Sequence, residues 1–159
     1  MTRPAARFYA FDDEKPRPGC YHCRIFQIIA LTVSLESLQS FLTDDMRAVD
    51  HVIRQSLYSD VVLIRQVSEY IINSGGKRLR PALVLLSAGC FNYQGHAHHE
   101  LAAVVEFIHT ATLLHDDVVD ESELRRGRKT ANALFGNAAS VLVGDFLYSR
   151  AFQMMVAVD

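Results

Sequence analysis

The sequence predicts an all-α protein. After about residue 35, apolar residues recur at intervals of three and four, which is the spacing of one face of a helix. Nowhere does the sequence alternate apolar and polar residues as a half-buried strand does, and glycine or proline separates the periodic segments. The expected architecture is therefore a set of long helices joined by short loops, with the chemistry at the helix ends.

The first three helices follow from their apolar positions and their stop signals. The first is predicted from about residue 35 onward on a stripe of seven apolar residues: Leu35, Leu38, Leu42, Met46, Val49, Ile53 and Leu57. After a break, at which Ser59 or Asp60 is the predicted N-cap, a second helix runs to Gly75 and Gly76. A third begins near Pro81, because proline fits the first turn of a helix.

Two further helices hold most of the remaining hydrophobic residues. Residues 100–119 form the longest helical pattern, and its near lack of charge predicts burial on most sides. Residues 137–158 form the last, in which Gly144 predicts close approach of two helices, and Asp145 is either a pocket carboxylate or the partner of a cation. Residues 91–99 and 121–130 are predicted to be loops. The histidines of the first loop are interpreted as solvated rather than metal-binding: His96, His98 and His99.

Composition limits the class of protein. The 159 residues are half hydrophobic with a formal net charge of −2, which fits one domain and gives no basic footprint for nucleic acid. No apolar run reaches the roughly 18 residues of a membrane span. Three cysteines, an odd number, favour a reducing compartment, and a cytoplasmic protein is expected. Residues 1–34 are expected to be a flexible or atypical leader with Cys20 and Cys23 as incidental thiols, and residues 35–159 the folded part.

An acidic cluster ends the longest helix, in the sequence LLHDDVVDE at residues 113–121. Asp116 and Asp120 are four residues apart and share a helix face, Asp117 lies beside it, and His109 lies two turns earlier on the same side. Carboxylates this close repel one another in a low dielectric unless a cation lies between them. Oxygen ligands suit Mg²⁺, which commonly bridges protein carboxylates and substrate phosphates. The alternative for the aspartates is a solvated acidic helix end, with surface ion pairs of little value. The alternative for His109 is a core histidine with a satisfied hydrogen bond.

Two basic segments complement this cluster. Arg125 and Arg126 follow it and offer planar donors for phosphate oxygens. A glycine-rich loop before the third helix holds three more cations: Lys77, Arg78 and Arg80. Backbone N–H groups and the helix dipole at such a helix N-terminus favour an anion, although a solvated basic loop is the simpler alternative. Together the two segments and the aspartates predict a magnesium-dependent site for phosphates.

Three segments resemble the trans-type polyprenyl diphosphate synthases, and within them the long-chain, octaprenyl diphosphate synthase-like branch that makes quinone side chains. They are GGKRLRP at 75–81, EFIHTATLLHDDVVD at 106–120 and LRRG at 124–127, and the resemblance extends from about residue 35 to 156. It implies part of an isoprenoid-synthase-type helical bundle. It also implies condensation of isopentenyl diphosphate with an allylic diphosphate to give an all-trans polyprenyl diphosphate: the allylic C–O bond ionises, the isopentenyl double bond attacks, and a proton is lost.

The same resemblance implies a role for each site residue. Asp116 and Asp120 would ligate the Mg²⁺ that is bound to the allylic diphosphate, with Asp117 in support. Arg125 would hold the allylic diphosphate itself. Four residues would hold isopentenyl diphosphate: Lys77, Arg80, His109 and Arg126. The arginines and the metal would stabilise charge on the leaving diphosphate, and a dry apolar cavity would protect the carbocation from water.

The resemblance also gives expectations for the length of the product and for the activity of the chain alone. Ala111 and Thr112 are small where a bulky residue would block a growing chain in this family, which implies a long product. The second aspartate-rich cluster that the family needs is not found in the 159 residues. The chain is therefore expected to be the N-terminal half of a synthase, with the C-terminal half missing, uncovered apolar faces and little activity alone. The full-length form is expected to be a homodimer.

Two other functions stay open at this point. In the first, His115 and Asp116 form the metal pair of a helical His-Asp phosphohydrolase. In the second, the chain is a non-catalytic half-synthase that acts only with a partner subunit.

Overall fold

The computed structural model describes residues 40–158, and this range is mostly helical. Its elements, in chain order, are α1 (Thr43–Ser56), α2 (Val62–Asn73), α3 (Leu79–Cys90), α4 (Ala97–Val119), β1 (Leu124–Arg125), β2 (Arg128–Lys129), α5 (Ala131–Phe135) and α6 (Asn137–Ala157). The all-α prediction is confirmed. The predicted leader, with Cys20 and Cys23, lies outside the described residues. Within 40–158, no helix combines the length and the apolarity needed to cross a bilayer.

Helix α4 is the centre of the fold, and it packs against α6, α3 and α1. Ala102, Ala103 and Ala111 of α4 are fully buried, and their small size lets the neighbouring helices approach closely. Gly144 of α6 does the same, since a β-carbon there would collide with the imidazole of His115. The predicted close approach at this glycine is therefore confirmed. Larger side chains from the surrounding helices complete the core: Val49, Ile53, Val67, Leu85, Val143 and Leu147.

Several predicted helix boundaries were wrong. The N-cap of α2 is Val61, and the hydroxyl of Ser59 instead accepts a hydrogen bond from the Val61 N–H at 3.2 Å. Helix α4 begins at Ala97, so the predicted loop 91–99 ends earlier and its last two histidines, His98 and His99, lie in the first helical turn. They are part-buried there rather than solvated. Pro81 lies in the first turn of α3, as predicted.

The predicted loop 121–130 contains an antiparallel hairpin instead. Leu124 pairs with Lys129 and Arg125 with Arg128, and the two residues between the strands have positive φ, +53° at Arg126 and +77° at Gly127. Positive φ at both central residues is the condition for a type I′ turn, which matches the twist of the strands. Each strand has only two residues, which is too short for an alternating sequence pattern to predict the hairpin.

One side of α6 is apolar and exposed. Val141, Tyr148, Phe152 and Val156 are spaced by seven and four residues, which places them along one face of the helix. Their exposed fractions run from 38% to 87%. A contiguous apolar stripe of this kind is typical of a surface that another element or another chain covers.

Candidate active site

A cavity of about 530 Å³ lies between the second half of α4, the loop that precedes α3, and the β1–β2 hairpin. One part of its wall is apolar and comes from α1, α2, α4 and α6: Ile53, Leu57, Ile71, Ile72, Phe107, Leu113, Leu114 and Leu147. The other part is polar and dominated by basic side chains. A ligand with a charged head and an apolar tail would find a suitable surface for each half.

The charge of this cavity is strongly positive. Two carboxylates line it, and each already has a partner: Glu106 Oε1 lies 3.1 Å from Arg78 Nη1, and Asp117 Oδ1 lies 2.7 Å from Arg125 Nη2. The remaining basic residues on the wall have no carboxylate partner among residues 40–158: Lys77, Arg80, Arg126, Arg128 and Lys129. Like charges held this close favour an anion between them.

The basic loop divides into one anchor and two cavity residues. Arg78 adopts a left-handed backbone conformation, with φ +48°, and its guanidinium contacts Glu106 of α4 and, at 3.9 Å, Asp50 of α1. This ion pair holds the loop against two helices, while Lys77 and Arg80 line the cavity. Sequence reasoning missed Glu106. Its signal is that it is the one acidic residue in the apolar segment 101–115, where a charge needs a partner.

His109 lies among these cations. Its pKa is lowered from the ordinary value of 6.5, first by burial and then by the positive charge of Arg80, with Glu106 opposing and Arg126 and Arg125 adding to the effect. A neutral imidazole is thus surrounded by guanidinium groups. An anion placed there would reverse this influence and favour the protonated ring.

Arg126 joins the hairpin to the basic loop. Its Nη1 donates a hydrogen bond to the carbonyl oxygen of Gly75 at 3.1 Å. A β-carbon at Gly76 would lie 2.9 Å from that same nitrogen, so the side chain needs the space that glycine leaves. The Gly75–Gly76 pair therefore follows the end of α2 and also leaves room for the Arg126 side chain beside Lys77.

Asp117 is buried, with 4% of its surface exposed, and its carboxylate binds Arg125. Arg125 donates from Nε at 3.0 Å and from Nη2 at 2.7 Å. This hydrogen bonding raises the pKa of Arg125, and the charges of Asp116 and Asp120 raise it further. Arg125 Nη1 has no hydrogen-bond partner within the described range and is available to a ligand.

Asp116 and Asp120 lie beside the cavity rather than in its wall. Both are exposed, and the Asp120 N–H bonds to the Asp116 carbonyl at 2.8 Å, which places them one helical turn apart. No third carboxylate or histidine of the described chain groups with them as a metal ligand. Two exposed carboxylates fit Mg²⁺, which keeps several waters and takes its other ligands from phosphate oxygens.

His115 points away from this acidic pair. Its Nε2 lies 3.3 Å from the carbonyl oxygen of Val141 and 3.4 Å from Asp145 Oδ1, both on α6. Asp145 thus contacts His115 and is not part of the cavity wall, which does not support the predicted role as a pocket carboxylate. A metal pair formed by His115 and Asp116, as the phosphohydrolase interpretation requires, does not match this arrangement.

The chain is similar to known proteins over most of its length. A family model described as polyprenyl synthetase matches residues 61–159. The chain belongs to the polyprenyl synthetase family. Octaprenyl diphosphate synthase of Escherichia coli (strain K12) is 58% identical over 125 residues, which cover 79% of this chain and 39% of that relative. The chain therefore spans about 39% of the length of this curated relative.

Solved structures of the family have the same fold over the matched part. A decaprenyl diphosphate synthase from Rhodobacter capsulatus is 52% identical with a TM-score of 0.74, and the match covers 78% of this chain and 38% of that one. A polyprenyl synthase from Caulobacter crescentus CB15, complexed with calcium and isoprenyl diphosphate, is 48% identical with a TM-score of 0.75 and the same coverage. The predicted isoprenoid-synthase-type bundle is confirmed, and family membership argues against the phosphohydrolase.

Proposed function

We propose that this chain provides the isopentenyl diphosphate pocket and the first pair of metal ligands of a long-chain trans-prenyltransferase. One observation carries the proposal: Lys77, Arg80, His109 and Arg126 come from three separate segments of the chain and line a single cavity. That cavity has unpaired positive charge on one side and apolar side chains on the other. A diphosphate fits the first surface and an isoprenoid chain the second.

Each group has a distinct part in this proposal. Lys77, Arg80 and Arg126 donate charge-assisted hydrogen bonds to the diphosphate of isopentenyl diphosphate, and His109 adds a donor when it is protonated. Arg125, held at Nε and Nη2 by Asp117, offers Nη1 to the allylic diphosphate. The leaving diphosphate gains charge as the allylic C–O bond ionises, and fixed positive groups stabilise it.

Magnesium belongs at Asp116 and Asp120 in this proposal. Both carboxylates are exposed, one turn apart and close enough to Arg125 to raise its pKa. Mg²⁺ bound there supplies further positive charge for the leaving diphosphate. Asp117 takes no part in binding it, because its carboxylate is occupied by Arg125. Its role is to position that arginine.

The wider setting is also proposed. A homodimer of the full-length enzyme is supported by the exposed apolar stripe on α6, which a second chain could cover. A cytoplasmic location is supported by the odd number of cysteines. Quinone side chains are the proposed use of the product, in line with the resemblance to the octaprenyl branch.

Calorimetric titration of the chain with isopentenyl diphosphate tests the pocket without requiring turnover. Lys77→Ala and Arg80→Ala should each weaken binding roughly ten- to a hundredfold, because each removes a hydrogen bond to a charged group. Arg65→Ala is the matched control: Arg65 is exposed on α2, outside the cavity wall, and its loss should leave the affinity unchanged. Equal affinities for the wild type and both cavity variants would contradict the proposal.

A further inference from the structure

A second group of polar side chains lies at the opposite end of α4 from the aspartates. His98 and His99 occupy the first turn of α4, and Asp45 of α1 faces them. A smaller cavity, of about 200 Å³, is lined by these three residues, by the end of α3 and by His96. None of these residues belongs to the diphosphate pocket.

The three side chains are close enough to share an ion. One ligand atom from each of Asp45, His98 and His99 lies within 4.8 Å of the other two. The shortest pair is His99 Nε2 and Asp45 Oδ1, at 3.1 Å, and the two imidazole rings have centroids 3.9 Å apart. In addition, His98 Nδ1 is shielded from solvent and makes no hydrogen bond of good length and angle among the described residues, although the Gly95 backbone lies near the ring. A buried ring nitrogen of this kind normally has a partner.

We propose that Asp45, His98 and His99 bind a transition-metal ion of the Zn²⁺ class, which links α1 to the N-terminal end of α4. Two imidazoles and a carboxylate form a ligand set that Zn²⁺ accepts, with water or a further histidine as the fourth ligand. His96 lines the same cavity and is the candidate for that position.

The geometry needs only a small adjustment. Ligand atoms in a tetrahedral zinc site with bonds of about 2.0–2.1 Å lie roughly 3.3 Å from one another. The pair formed by Asp45 and His99 already has this separation, at 3.1 Å. The widest pair lies within 4.8 Å and would close by about 1.5 Å at most, which rotation of a part-buried imidazole can supply.

Nitrogen ligands separate this site from the acidic end of the helix. Imidazole favours Zn²⁺ and its neighbours in the first transition series, whereas Mg²⁺ favours oxygen ligands only. The two ends of α4 should therefore select different metals. The competing explanation is a plain hydrogen bond between His99 and Asp45 that fastens α1 to α4 without an ion.

Titration of the chain with Zn²⁺ by calorimetry, and with Co²⁺ by visible absorption, tests the proposal. Asp116→Asn with Asp120→Asn is the background for both titrations, so that the acidic pair does not contribute. We expect one ion per chain and a Co²⁺ spectrum typical of tetrahedral nitrogen and oxygen ligation. Loss of a residue that only hydrogen-bonds to a metal ligand already weakens metal binding roughly tenfold. His98→Gln and His99→Gln remove a ligand itself, so each should weaken binding by at least that factor.

His51→Gln is the matched control, because His51 is an exposed histidine of α1 away from the group; its affinity should equal that of the background. Asp45→Asn keeps the shape and an acceptor for His99, so this variant should fold while it loses the anionic ligand and weakens binding. The proposal is overturned if the background protein binds neither ion. It is also overturned if the His98 and His99 variants bind as tightly as the His51 variant.

Discussion

The two ends of α4 make an instructive pair. The helix has 23 residues, so its ends lie roughly 34 Å apart at 1.5 Å per residue. At the C-terminal end, Asp117 binds Arg125, eight residues further along the chain. At the N-terminal end, His99 binds Asp45, which is 54 residues away. Each end thus joins an acid to a nitrogen base, one through a local contact and the other through a distant one.

Both ends oppose the helix dipole. Acidic groups are unfavourable at a helix C-terminus, and protonated histidines are unfavourable at an N-terminus. At the acidic end, Arg125 offsets part of the cost, and a bound cation would offset more. At the histidine end, burial lowers the pKa of His98, which favours the neutral ring, and the neutral ring is the form that ligates a metal. Positions that work against the dipole are therefore the ones at which binding is expected.

Breaking the acidic end should give the largest effect. Asp117→Asn removes the buried charge that holds the partly exposed Arg125, and we expect the free energy of unfolding to fall by about 2 kcal/mol. Asp116→Asn makes the same change one residue away at an exposed position and should leave stability within about 0.5 kcal/mol. Urea denaturation of the two variants measures the difference, and equal stabilities would mean that the Asp117–Arg125 pair does not anchor the hairpin.

Metal selectivity sharpens the comparison next. If the proposed function holds, Mg²⁺ should tighten binding of farnesyl diphosphate, and Asp116→Asn with Asp120→Asn should weaken that binding about tenfold, or about 1.4 kcal/mol. His98→Gln should leave it unchanged, because the histidine end takes no part. Calorimetry with and without Mg²⁺ distinguishes the two variants. A similar loss in both would show that the ends are not independent sites.

The smallest expected effect concerns protonation of His109. The pKa of His109 in the native chain is lowered below 6.5. Between 6.5 and this lower native pKa, the unfolded chain therefore binds more protons than the native chain. The stability contribution of the neutral ring is therefore complete above pH 6.5 and is lost as the pH falls towards the native pKa. His109→Gln should remove this part of the pH dependence of stability.

Isopentenyl diphosphate should act on His109 in the opposite direction. Its negative charge would offset Arg80 and Arg126, so the pKa of the ring should rise when the diphosphate binds. NMR titration of the His109 ring protons, with and without the ligand, measures this shift. An unchanged pKa in the complex would place the diphosphate elsewhere.

Sequence reasoning predicted most of the fold and grouped four residues that line one cavity. The helical spacing of apolar residues located five of the helices, because burial of one face imposes that spacing wherever a helix packs. Lys77, Arg80, His109 and Arg126 were predicted to share a pocket, and they line one cavity. The hairpin and the short helix α5 were missed, since segments of two to five residues are too short to establish a period.

The chain by itself determined the helical class, the family and the residue types of the proposed diphosphate pocket, because these depend on local spacing and on motifs that are continuous in sequence. Only the tertiary structure decided which of the basic and acidic groups are already paired. Arg78 forms an ion pair with Glu106, and Asp117 forms one with Arg125. Lys77 and Arg80 are therefore available to a ligand. The tertiary structure also places Asp45 next to His98 and His99. Pairing of charges depends on distance in space, and residues such as Asp45 and His99, which are 54 positions apart, become neighbours only when the helices pack.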